Sequence, residues 1–190
     1  MIKVQKHKSA SLVVSSYKEN IDWTDNVKQN LFLYNKNEID VGRSNLIKLK
    51  NVGRESHTYL HHIVEHYNDL DDIVIFCQGN PFDHCPYFLE TLECQDLIAM
   101  NELCKKLDQR NWPITNSNFC AIGHHWIYDI ENQVMKDWEY QCKIPFCAIA
   151  MEVMFPRHKP IFKLNSIWGA IFAVSKECIH QHKLQKYKKL

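Results

Sequence analysis

Apolar and polar positions alternate between two periods along the first half of the chain. "SLVVSSY" (11–17) is a short β-branched run that breaks off into polar residues, the pattern of a buried strand. "ENIDWTDNVKQN" follows, with Ile21, Trp23 and Val27 at loosely helical spacing. "LFLYNK" (31–36) predicts a second strand. After a polar connection through Gly42, "NVGRESHTYLHHIVEHYNDL" places Leu60, Ile63, Val64 and Tyr67 at i, i+3, i+4 and i+7, which predicts an amphipathic helix. "DDIVIFCQG" is a continuous apolar run, as expected of a strand covered on both faces. The alternation predicts an α/β fold with a mostly parallel central sheet flanked by helices.

The second half is less regular. "YFLETLECQDLIAMNELCKKL" (87–107) has helical spacing. Prolines at 113, 145, 156 and 160 divide the region 112–165 into short pieces that no single period orders. "SIWGAIFAVSKECI" predicts a strand leading into a terminal helix that starts near Ser175. No internal repeat or linker interrupts the 190 residues, so a single domain over 1–190 is expected.

Charge narrows the partners. Lys and Arg number 23 against 22 Asp and Glu, so the chain carries no global field to attract nucleic acid. No run approaches the roughly 18 apolar residues of a membrane span. The basic start has only a short apolar run and no cleavage signature, which argues against a secretory signal. The eight cysteines include no C-x-x-C pair, and several lie in apolar runs. Reduced core cysteines in a cytoplasmic protein are the expectation.

Ligands of an open parallel sheet bind outside the carboxyl ends of its strands. Three polar segments fall there: "SSYKEN", "YNKN" and "QGNPFDH". "NVGRE" adds a helix start at which free N–H groups attract anions and Arg54 can fork onto phosphate. Together they suit a diphosphate; singly, each is also a plain turn. Two other patterns carry alternatives. His62, Glu65 and His66 match H-x-x-E-H, the arrangement of a zinc-dependent hydrolase, although the helical stripe puts all three on the solvated face. "GHHWIYD" (123–129) suits stacking on a sugar or base, or a core Trp beside a turn. With only five glycines and no P-loop or Rossmann fingerprint, any phosphate must be held by Arg, Lys, a helix N-terminus or a metal.

The segments from Tyr17 to Trp23, from Tyr34 to Lys36, "NVGRESHTYLHHI", "FCQGNPFDH" and "GAIFAVS" resemble an uncharacterised protein family met in fungi, algae and large viruses. The similarity covers roughly residues 12–84 and 166–190. That family in turn resembles glycosyltransferases of the GT-A type, with a Rossmann-like sheet. The resemblance implies a nucleotide-sugar donor of the UDP or GDP type and a hydroxyl acceptor on a glycan or protein glycan. It implies that Ser15, Tyr17, Glu19 and Asn20 hold the nucleoside and that Arg54 approaches the diphosphate. Gln78, Gly79 and Asn80 stand where such enzymes carry Asp-x-Asp. Trp168, Gly169 and Ala170 match the segment that shapes the acceptor side. A divalent metal, Mn²⁺ or Mg²⁺, would then sit on Asn80 and Asp83, with Asp83 and His84 as catalytic candidates. Without a metal, Arg54 and Lys18 would neutralise the leaving group. A module that binds nucleotide or carbohydrate without turnover is the remaining alternative.

Overall fold

The structure is a computed structural model that describes residues 8–37, 43–107, 118–122, 125–129, 163–167 and 170–190. The chain groups into two compact units, residues 1–124 with 167–190, and residues 125–166.

The first unit is built on a six-stranded mixed sheet. Its strands are β1 (Ala10–Ser16), β2 (Asn30–Asn35), β3 (Leu46–Lys48), β4 (Ile73–Gln78), β5 (Phe119–Ala121) and β8 (Phe172–Ser175). They lie in the order β3-β2-β1-β4-β8-β5. The first four run parallel; β8 is antiparallel to both β4 and β5. The expected sheet is therefore mostly parallel, with an antiparallel side that the apolar run of β8 alone does not announce. In the second unit β6 (His125–Asp129) pairs with β7 (Lys163–Ile167).

Strand alternation sorts the core into two layers. Leu12 and Val14 of β1, Leu33 of β2, and Ile73, Ile75 and Cys77 of β4 pack with Phe88, Leu97 and Met100. Those last three belong to the helices α2 (Phe88–Leu92) and α3 (Leu97–Leu107). Val13, Tyr34, Val74 and Phe76 face the other way, onto Tyr59 and Ile63 of α1 (Arg54–Glu65). The helix expected over 87–107 is two helices. The first ends at Leu92, and Asp96 starts the second, its carboxylate accepting the N–H of Ala99 at 2.8 Å in the manner of an N-cap. Ser175 caps α4 (Lys176–Ile179) by accepting the Cys178 N–H at 3.1 Å, at the predicted start. The chain closes with α5 (Leu184–Tyr187).

Two expectations are corrected. The crossover from β1 to β2 contains a single 3-10 turn, Asp22–Asn26, and not an α-helix. The buried face of α1 is Thr58, Tyr59, His62 and Ile63, rotated from the Leu60/Ile63/Val64/Tyr67 stripe. The rotation follows from hydrogen bonding. Thr58 and His62 find partners in the sheet, so polar side chains occupy the inner face. Most of the region 112–165 lies outside the described residues.

Candidate functional site at the strand-order reversal

From β1 the chain moves outward to β2 and β3, then returns through α1 to place β4 on the other side of β1. The order therefore reverses between β1 and β4. That is where an open α/β sheet leaves a crevice at its carboxyl edge. The loops leaving β1 and β4 carry Tyr17 to Asn20 and Gly79 to His84.

These loops are fastened to each other. Ser15 pairs with Gln78 in the β1–β4 register. Trp23 donates its indole N–H to the Gly79 carbonyl at 2.9 Å, and its ring meets Phe82 and Phe88 edge-on at centroid separations of 5.6 and 5.7 Å. Glu19 Oε2 accepts the N–H groups of Tyr17 at 2.7 Å and Lys18 at 3.1 Å. Its carboxylate thus closes its own loop. Asn20 Oδ1 accepts the Asp22 N–H at 2.7 Å, starting the 3-10 turn. Tyr17 is exposed at the rim, with the Lys18 ammonium 5.0 Å from its ring centre.

Across β1, the residues around α1 reach the same rim. Ser15 shares a 2.8 Å hydrogen bond with Thr58 and is buried beneath the loops. Gly53, at the helix N-cap, has φ 61°, and Arg54 follows with φ 47°. A left-handed Arg costs about 1–2 kcal/mol, so something must hold it there. Lys36, just past β2, is 5% exposed and donates from Nζ to the Val52 carbonyl at 2.7 Å and to the Arg54 carbonyl. Burial lowers its pKa, and Glu55 opposes that shift. Ala170, φ 49°, is the other left-handed residue with a side chain among the described residues, and its carbonyl accepts the Tyr59 hydroxyl at 3.0 Å. Both strained positions are thus tied to α1.

The sequence-derived residues fare differently. Ser15, Tyr17, Glu19, Asn20, Arg54, Gln78, Gly79 and Asn80 share the carboxyl edge of β1, β2 and β4. Gln78 donates from Nε2 to the Asn80 carbonyl at 2.6 Å, and Asn80 Oδ1 accepts the Phe82 N–H at 3.3 Å. Both amides are therefore partly spent on shaping their own turn. Asp83 is exposed and His84 partly buried in the turn closed by N–H bonds of His84 and Cys85 to the Pro81 carbonyl. Trp168 and Gly169 lie outside the described residues; Ala170 is exposed. Of "GHHWIYD", Gly123 and His124 also lie outside them, and residues 125–129 form β6.

Asn80 and Asp83 do not fit a hard-cation site by themselves. They bring one charged donor, and the Asn80 oxygen is already a hydrogen-bond acceptor. Among the described residues no three His, Cys, Asp or Glu side chains converge as a metal site would require. His62 is buried, not on the solvated face that the helical stripe implied, and its Nδ1 shares a 3.0 Å bond with the Tyr34 hydroxyl. Glu65 stands on the exposed side of the same helix. At the opposite edge of the sheet, a groove of about 470 Å³ runs past Ala10, Asn30, Ile73, Leu92 and Met100.

Sequence reasoning passed over Trp23, Lys36 and Thr58 as site-forming residues. Lys36 had a signal, since it ends the Tyr-Asn-Lys segment beside the second strand.

The chain matches, over residues 12–190, the family described as "Protein of unknown function (DUF3431)", and it belongs to that family. No curated protein and no solved structure matches it. Among the described residues no helix is long and apolar enough to cross a membrane.

Proposed function

We propose that the protein is a glycosyltransferase of GT-A type that moves a sugar from a nucleotide sugar to a hydroxyl acceptor. One observation carries the reading. At the reversal between β1 and β4, Trp23 locks the two carboxyl-edge loops together, while Arg54 starts α1 on the same edge. The loop expected to hold the nucleoside and the residue expected at the diphosphate both border this edge of the sheet, which supports the reading.

The chemistry follows from charge. The departing nucleoside diphosphate gains negative charge as the glycosidic bond to it breaks. Arg54, Lys18 and the free N–H groups of the first α1 turn supply fixed positive potential to it. In an inverting reaction Asp83 takes the proton of the acceptor hydroxyl as that oxygen attacks the sugar. Tyr17 offers an exposed ring for the nucleoside base, and Asn20 closes the loop beneath it. No step is routed through a metal, because the donor set at Asn80 and Asp83 does not make one.

A nucleotide-binding protein without turnover is favoured by one feature: Gln78 and Asn80, where an Asp-x-Asp pair would stand, are neutral and hydrogen-bonded within their own turn. A thermal-shift panel of UDP, GDP and CMP, with and without Mn²⁺, tests the shared binding step. A ligand at about 100 times its Kd adds about 2.7 kcal/mol to the folded state. Stabilisation by one of these nucleotides that Arg54→Ala abolishes is the expected result. Absence of any shift overturns both readings, and release of free sugar from the donor separates the transferase from the binder.

A further inference from the structure

Lys36 carries a buried charge that Glu55 offsets only from beyond ion-pair distance. It is 5% exposed, and no carboxylate lies within ion-pair distance of it among the described residues. An ammonium has three N–H donors; the carbonyls of Val52 and Arg54 take two. Burying an ammonium is costly unless its donors are bonded, and here two carbonyls of one turn bond it. Its position gives the use. The two carbonyls flank Gly53, and the ammonium draws them together across the turn that puts Gly53 and Arg54 in succession into the left-handed region. Directly beyond, His57 packs its Cβ against Gly53 and keeps a buried Nδ1 without a hydrogen-bond partner. A buried cation, an unpartnered imidazole nitrogen and the N-terminus of a twelve-residue helix thus meet around one turn.

We propose that Lys36 is the positioning residue of a diphosphate site at the start of α1, holding the Gly53–Arg54 turn in its strained form and lending its buried charge to the bound anion. The proposal rests on the nucleotide-sugar reading and extends it to a residue that the family resemblance gave no role. Lys36 acts from behind the turn. Arg54 is the group presented to solvent, and the backbone between them transmits the geometry.

Inorganic pyrophosphate is the probe, titrated calorimetrically into the full chain and its variants. Lys36→Met keeps the length of the side chain and removes the charge. A folded Lys36→Met chain, checked by circular dichroism, is expected to bind pyrophosphate at least tenfold more weakly. A folded variant that binds like the wild type overturns the role of Lys36, and loss of binding in Arg54→Ala would then leave the nucleotide reading standing. No binding of pyrophosphate or nucleotide by the wild type overturns both. Should Lys36→Met fail to fold, the ¹⁵N signal of the Lys36 ammonium in the wild type decides. A shift on saturation with pyrophosphate, absent in Arg54→Ala, supports the proposal; a signal that stays in place while pyrophosphate binds overturns it.

Discussion

A β-carbon built on Gly79 would stand 2.7 Å from Glu19 Oε2 and 3.0 Å from Glu19 Cβ, so the loop leaving β1 lies directly against the backbone leaving β4. The glycine is required for space. Gly79→Ala must push back a carboxylate that is already holding the N–H groups of Tyr17 and Lys18. Overpacking of this kind costs about 1–3 kcal/mol. The variant is expected to melt lower and to lose nucleotide binding out of proportion, because the displaced loop is the proposed nucleoside wall. Equal nucleotide affinity in Gly79→Ala would show that this loop does not touch the ligand.

Arg54 sets stability against function. Its φ of 47° strains any residue with a Cβ. Arg54→Gly relieves about 1–2 kcal/mol of that strain, of which about 0.4–1 kcal/mol is returned through the freer unfolded chain. Arg54→Ala keeps the strain. Both remove the guanidinium. Urea denaturation should therefore rank Arg54→Gly above Arg54→Ala by about 0.5–1 kcal/mol, with nucleotide binding lost in both. Equal stability of the two would mean that the turn relaxes once the side chain is gone.

Trp23 tests the fastening of the loops without touching a charge. Trp23→Phe keeps much of the ring packing on Phe82 and Phe88 and deletes the bond to the Gly79 carbonyl. A lost hydrogen bond that leaves its acceptor buried costs about 1–3 kcal/mol. A drop in Tm with weaker nucleotide binding is expected. A fall in Tm with unaltered affinity would assign Trp23 to the core alone.

The sheet was legible where residues obeyed one period. β1, β2 and β4 are apolar runs with polar ends; β1 and β2 lie within one residue of their expected bounds, and β4 falls inside "DDIVIFCQG". β3 escaped notice because a three-residue strand, Leu46–Lys48, carries no period. The turn of α1 was misjudged because Thr58 and His62 count as polar in a hydrophobic stripe, yet both are buried and bonded. Strand ends put Ser15 and Gln78 on one rim, and the register brings them side by side. What no pattern revealed was which side chains hold that rim together. Glu19 and Trp23 act on backbone atoms of distant or neighbouring residues, and such partners leave no spacing in the sequence.

His62 makes stability depend on pH in a predictable direction. Burial, reinforced by His66 and His61 and opposed by Asp69, pushes its pKa down to about 3. The folded chain therefore keeps His62 neutral, while the unfolded chain takes up a proton near the ordinary value of about 6.5. As pH falls through that value the unfolded state binds more protons, and stability declines by up to about 1.4 kcal/mol per pH unit. The contribution is whole above about pH 6.5, shrinks as pH falls, and is exhausted below about pH 3. His62→Gln retains a group able to bond the Tyr34 hydroxyl but cannot titrate. It is expected to be less stable than the wild type at neutral pH and to lose stability more slowly on acidification, so that the two denaturation curves converge toward about pH 4. Carboxylates titrate alike in both proteins and cancel in the comparison. Parallel pH dependences would show that His62 takes up its proton as readily in the folded chain as in the unfolded one.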